Sequence, residues 1–242
     1  MTIASSPGVL VQDLARLAEA GPPSAPTRLW GPGDDWTISD GTARLATLLI
    51  EAFGCSSVLE FGAGRSSLVM ASALDARGGG RLTSIEHQPE FAERAWARLP
   101  EFPSVDALLV RAGLARRFSM HGLLHEYTGI HDALDARAPF DFVFVDGPPG
   151  HFGRDATLLA AAPHLSPGCV VLLDDAARAA EQTAVRRWER ALEVERLFES
   201  TSLGRGVVVL RVTRPGAPRF SPRTFLGTIH DRLLARRYQP SA

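Results

Sequence analysis

The feature that most constrains this chain is an alternation. Short apolar runs of strand length recur along its middle, and stretches of helical spacing separate them. FVFV at 142–145 and VVLL at 170–173 are apolar without a break. A strand that is apolar on both sides needs cover on both sides, so helices are expected on both faces of a sheet. Strands are predicted at 57–61, 81–86, 107–111, 140–145, 170–173 and 207–212, with a weaker one at 194–198. Helical spacing fills 66–76, 89–99, 154–164 and 177–192 between them. The pattern predicts an α/β chain with an open, mostly parallel, doubly wound sheet in a single domain.

What flanks this core differs in character. Residues 9–20 read as a helix stopped by Gly21-Pro22-Pro23, and Ser39 is placed to cap a helix running to Gly54. The connector between them is rich in Pro and Gly and carries Trp30 and Trp36, which suit either a lid over the site or an anchor on the sheet. After residue 212 three prolines precede a helical stretch at 225–238, whose Leu226, Ile229, Leu233 and Leu234 predict docking onto the domain or a second subunit. The expected division is 1–38 as helix and connector, 39–212 as the main domain, and 213–242 as a tail with a helix.

Composition narrows the function. The net charge is -1, so no global field favours nucleic acid or an anionic membrane. Residues 1–21 lack the basic start and apolar run of a signal peptide, and no apolar stretch reaches the ~18 residues of a membrane span. A cytoplasmic protein is expected. Two isolated cysteines, Cys55 and Cys169, predict buried free thiols rather than a zinc site or a disulfide framework. All 26 basic side chains are arginine. No lysine is present to act as general base, Schiff-base former or phosphate ligand.

The stretch VLEFGAGRSSL at 58–68 sets Gly62 and Gly64 where the first strand ends and a helix begins. Glycine there allows a tight turn and close approach of backbone to a ligand. The pyrophosphate fingerprint is incomplete, because Ser67 stands at the third glycine's position. Glu86, about 20 residues on, ends the second strand, where a carboxylate can accept both ribose hydroxyls. Glu60 beside the loop opposes pyrophosphate but attracts an ammonium group. The combination suits a cationic amino-acid nucleoside such as S-adenosylmethionine.

VLEFGAGRSS resembles the glycine-rich motif of class I S-adenosylmethionine-dependent methyltransferases, and LTSIEHQPEF resembles the acidic motif on their second strand. FDFVFVDGPPG and LSPGCVVLLDDA are similar to the segments around their fourth and fifth strands. The resemblance spans about residues 40–212. It implies a Rossmann-like, seven-stranded sheet with the last strand antiparallel. It also implies that Glu60, Gly62 and Gly64 line the methionine end of the cofactor, with Ser66 among the cofactor-binding residues. Glu86 would hold the ribose, with His87 beside the adenine. The segment 120–128 matches no part of the pattern.

Asp146 ends the fourth strand, and Asp174 and Asp175 end the fifth. Three carboxylates converging at neighbouring strand ends suit Mg²⁺, and the catechol- and sugar-type O-methyltransferases that the chain resembles place acidic residues there. Pro149 stands where the catechol type has its lysine base, so Asp146 and His151 are the candidates for a catalytic role. The other reading leaves Asp146 working alone, with Asp174 starting a turn and Asp175 capping a helix. His121 and His125, four residues apart, could share one face of a helix, but no third ligand accompanies them. The expected function is methyl transfer to an oxygen, or a nitrogen, of a small molecule, with no nucleic-acid or membrane partner and with a homodimer as one assembly. An aminopropyl transferase of the same fold and a non-catalytic cofactor-binding protein are the alternatives.

Overall fold

The computed structural model describes residues 6–21 and 38–237. Its centre is a seven-stranded sheet built from β1 (Ser57–Phe61), β2 (Gly80–Glu86), β3 (Val105–Arg111), β6 (Phe140–Val145), β7 (Leu165–Leu173), β8 (Glu193–Ser200) and β9 (Val207–Arg214). The spatial order is β3-β2-β1-β6-β7-β9-β8. The first five in that order are parallel, while β9 runs antiparallel to both β7 and β8. Alternate residues of one strand face opposite layers, yet both layers are dry. Val58, Phe142, Phe144, Val170 and Leu172 pack under α1 (Pro7–Ala20), α2 (Asp40–Ala52) and α3 (Arg65–Ala76). Leu59, Phe61, Val143, Val145 and Val171 pack under α5 (His131–Arg137), α6 (Asp155–Ala161) and α7 (Ala179–Ala191). That double burial accounts for the unbroken apolar runs. α4 (Pro89–Trp96) follows β2. Ser39 caps α2 as expected, its Oγ accepting the Thr42 N–H at 3.1 Å. Trp30 and Trp36 lie outside the described residues.

Two features depart from the sequence reading. Residues 113–128 form an antiparallel hairpin, β4 (Gly113–Ser119) and β5 (Gly122–Thr128), with Ser119 paired to Gly122. His121 therefore sits at a turn and His125 on a strand, and no helix carries them. Leu123, Leu124 and Tyr127 do not alternate cleanly with polar residues, because β5 packs between α6 and α8 (Pro222–Arg237) rather than between core and solvent. Along tail helix α8, Thr224 and Thr228 are buried whereas Leu226 is 65% exposed; the side chains of Leu233 and Leu234 lie outside the described residues. Thr228 Oγ1 accepts the Leu123 N–H and donates to the His121 carbonyl at 3.0 Å. One backbone N–H and one carbonyl at the hairpin turn thus find their partner on the helix.

The chain runs outward from β1 to β3, then returns to lay β6 on the other side of β1. The crevice at this switch point lies beyond the carboxyl ends of the strands. The ladder carries into it: Gly62 N–H bonds to Ile85 O, Asp146 N–H to Phe61 O and Asp174 N–H to Val145 O, at 2.9 to 3.0 Å. Gly62, Asp146 and Asp174 thus emerge side by side.

Candidate active site

Gly62 has φ +95°, and a Cβ there would lie 2.8 Å from the Gly147 nitrogen. The first loop and the loop after β6 touch backbone to backbone, so this glycine is demanded by the protein's own packing. Gly64 is different. A Cβ on it would meet only Phe91 O, at 3.9 Å, so the space beside it is left for something other than protein.

Glu60 is fully buried. One oxygen, Oε2, accepts from the hydroxyls of Ser67, at 2.6 Å, and Ser84. The other, Oε1, has no hydrogen-bond partner among the described residues. Burial pushes its pKa up to about 7, against the pull of the neighbouring serine hydroxyls, and Glu86 adds to the rise. Ser67, in the position of a third glycine, also accepts the Gly64 N–H at 3.1 Å. It ties the loop to Glu60, while Ser66 beside it is buried. Glu86 accepts the Ala63 N–H on Oε2 and the His87 and Gln88 N–H groups on Oε1, at 2.7 to 2.9 Å. Burial raises its pKa, and those amides oppose the rise. His87 Nδ1 lies 2.9 Å from Glu86 Oε1. Two acidic groups around an open glycine, one with an idle buried oxygen, fit a cationic nucleoside at the loop.

The three aspartates do converge, but around guanidinium groups. Arg154, with a side chain 2% exposed, donates to Asp146 Oδ1 and Asp175 Oδ2 at 3.0 Å each and to the backbone carbonyls of Asp146 and Asp174 at 2.8 Å. Asp175, at φ +58°, also takes Arg178 at 2.8 Å and Arg205 at 2.6 Å. Burial alone would raise its pKa; these arginines hold it below the usual carboxylate range. Asp174 is fully buried, with Thr42 Oγ1 donating to Oδ1 at 3.1 Å. Burial and the Asp175 charge raise its pKa. Asp146 is pushed up to about 8 by burial; Arg154 opposes the rise and Asp174 and Asp175 add to it.

Magnesium does not fit this arrangement. An octahedral ion with waters and a substrate oxygen needs open carboxylate lone pairs, and here Arg154 takes the position between Asp146 and Asp175. Among the described residues no group of three His, Cys, Asp or Glu side chains is arranged to hold a metal. Nor does Asp175 cap a helix, since α7 starts at Ala179 behind an N-cap at Arg178. Asp146, 15% exposed at its side chain, is the aspartate of the three that reaches the crevice. His151 is exposed on the loop between β6 and α6, its ring 4.1 Å from that of Phe152.

Arg154, Arg205 and Tyr127 escaped the sequence reading, as did the bond from Ser67 to Glu60. The cations were legible in principle, because three buried carboxylates need countercharge and this chain has only arginine to supply it. Tyr127 carried no signal before the hairpin was known. Its ring lies 5.8 Å from Phe61 and 6.2 Å from His87, and its buried hydroxyl has no hydrogen-bond partner among the described residues.

Comparison with known proteins agrees with this geometry. A family model described as a methyltransferase domain matches residues 59–176. No curated protein sequence shows significant similarity. Among solved structures, the O-methyltransferase TomG from Streptomyces achromogenes, involved in tomaymycin synthesis and bound to S-adenosylmethionine, is 26% identical with a TM-score of 0.54, over 85% of this chain and 90% of its own. The methyltransferase PaMTH1 of Podospora anserina, bound to S-adenosylhomocysteine, shares the fold at 14% identity and a TM-score of 0.58, over 88% of this chain and all of its own. An O-methyltransferase from Bacillus cereus, also bound to S-adenosylhomocysteine, has 17% identity and a TM-score of 0.52, over 88% and 93% of the two chains. The matched methyltransferase domain, the likeness to TomG and a loop suited to a cationic nucleoside mark this chain as an S-adenosylmethionine-dependent methyltransferase.

Proposed function

We propose that the methyl acceptor is a hydroxyl oxygen of a small molecule and that no divalent metal takes part, Asp146 being the group that meets the acceptor. The observation that carries this reading is Arg154, whose guanidinium stands 3.0 Å from both Asp146 Oδ1 and Asp175 Oδ2. It supplies internally the positive charge that three clustered carboxylates require. The relation to TomG, an O-methyltransferase, favours oxygen over nitrogen.

When bound, S-adenosylmethionine supplies an electrophilic methyl group on a sulfonium sulfur. Glu60, Gly62, Gly64 and Ser66 hold its amino-acid end, and Glu86 with His87 holds the nucleoside end. Asp146 then orients the acceptor hydroxyl and takes its proton as the oxygen gains the methyl group. A carboxyl group pushed up to about 8 is matched to proton transfer near neutral pH. Arg154 fixes the carboxylate and is itself screened from the acceptor by burial. His151, on the exposed loop, is left as a contact to the acceptor rather than its base. The rest of the rate comes from alignment of oxygen and methyl group.

No helix among the described residues is long and apolar enough to cross a membrane. The free, buried Cys55 and Cys169 support the cytoplasm as the setting.

A screen of hydroxylated small molecules with methyl-labelled cofactor, with and without EDTA, tests the proposal. Turnover should be the same in EDTA. Loss of turnover that returns with Mg²⁺ would overturn the metal-free reading.

A further inference from the structure

A half-open cavity of about 210 Å³ lies between the β4–β5 hairpin, the start of α5, α6 and Pro218. Its walls are mostly apolar, with Phe61, Leu124, Ile130, Leu159 and Ala160 among them. Ser119, His121, Glu126, Tyr127, His131 and Thr157 supply its polar groups, and His121 and Tyr127 are the two that matter here. His121 is 7% exposed and Tyr127 is 6% exposed. Both line the cavity, and His121 Nδ1 and the Tyr127 hydroxyl have no hydrogen-bond partner among the described residues. A buried polar atom without a partner is costly, so a place for one is kept open by something that binds there.

The cavity communicates with the site through shared residues. Phe61 immediately precedes Gly62, and the Tyr127 hydroxyl sits where a Cβ on Gly147, the residue after Asp146, would come within 2.7 Å of it. Tyr127 thus stands between the cavity and the proton-accepting carboxylate. At the far end His121 is held by the tail helix, because Thr228 Oγ1 donates to its carbonyl. Burial lowers the pKa of His121, which leaves a neutral imidazole able to hydrogen-bond an uncharged group.

We propose that this cavity is the specificity pocket for the methyl acceptor, resting on the methyltransferase reading above. It takes one apolar six-membered ring whose polar substituent pairs with His121 Nδ1, while Tyr127 positions the end presented to Asp146. Size supports the class: an engineered apolar cavity of about 150 Å³ admits benzene, so the volume here holds a ring with one or two substituents. A sugar, polar on every side, would leave its hydroxyls unpaired against Leu124, Ile130 and Leu159.

The test is a ligand-observed NMR titration of the full chain, loaded with S-adenosylhomocysteine, with phenol, toluene and glucose as probes. Phenol should bind about tenfold more tightly than toluene, the worth of one hydrogen bond, and glucose should not bind. His121→Leu should remove the preference and keep toluene binding. Ala160→Phe should abolish both while calorimetry shows unchanged S-adenosylhomocysteine affinity. Phenol binding that survives both substitutions, or phenol that binds only when S-adenosylhomocysteine is left out, would overturn the proposal. If Ala160→Phe does not fold, the His121→Leu titration decides alone. A chain that binds no S-adenosylhomocysteine would sink the methyltransferase reading separately, and phenol titration of that same protein still decides the pocket.

Discussion

At Asp146 a burial penalty and a guanidinium pull in opposite directions, and burial prevails. Because its folded pKa, about 8, lies above its ordinary value of 3.8, ionisation opposes folding. The stability this group contributes is fully present below pH 3.8 and is lost as pH climbs through 8. Wild-type protein should therefore lose more stability between pH 6 and pH 9 than Asp146→Asn, measured by urea denaturation at each pH. The same substitution should lower kcat by about 100-fold or more and flatten the rise of activity through pH 8, with S-adenosylhomocysteine affinity kept. Arg154→Met leaves Asp146 and Asp175 without their shared cation and should cost about 3–5 kcal/mol in the same denaturation experiment, as expected when one partner of a buried ion pair is removed. The two loop glycines should separate cleanly. Gly62→Ala forces a side chain at φ +95° into the Gly147 backbone and should lower the melting temperature. Gly64→Ala has room, so it should leave the melting temperature alone and weaken S-adenosylhomocysteine binding, read by calorimetry. A Gly64→Ala protein that binds as wild type would remove the cofactor from that side of the loop.

Between the third and fourth parallel strands, where the sequence pattern assigns no element, the chain spends residues 113–128 on a hairpin. α8 holds that hairpin in place. Besides the Thr228 contacts, Arg187 on α7 donates both to Asp155 at the start of α6 and to Asp231 on α8, the latter at 2.8 Å. Gly122 at the turn has φ +92°, and a Cβ there would overlap Thr228 Oγ1. Thr228→Val removes the hydroxyl that serves both Leu123 and His121. It should cost about 1–3 kcal/mol and raise hydrogen exchange at the hairpin turn while leaving β1 and β6 protected. Uniform loss of protection would mean that α8 belongs to the main cooperative unit instead.

Across the whole molecule, cofactor binding should stabilise the native state by mass action, about 2.7 kcal/mol at a concentration 100 times Kd. A melting curve should shift upward with S-adenosylhomocysteine and be indifferent to Mg²⁺. The strands and the acidic residues at their ends were legible because each depends on local pattern. Continuous apolar runs demand two covered faces, and the glycines and Glu86 mark where strands stop. The long reach of Thr228 to the hairpin turn and of Arg154 to Asp175 was not legible, since pairs so far apart in sequence carry no spacing rule. The sequence by itself determined the alternation of strands and helices, and that acidic groups end β1, β2, β6 and β7. Only the tertiary structure decided what neutralises them, because a metal and an arginine satisfy the same carboxylates. The choice rests on which side chain the fold carries into the gap, and here Arg154, at the entry to α6, is carried there.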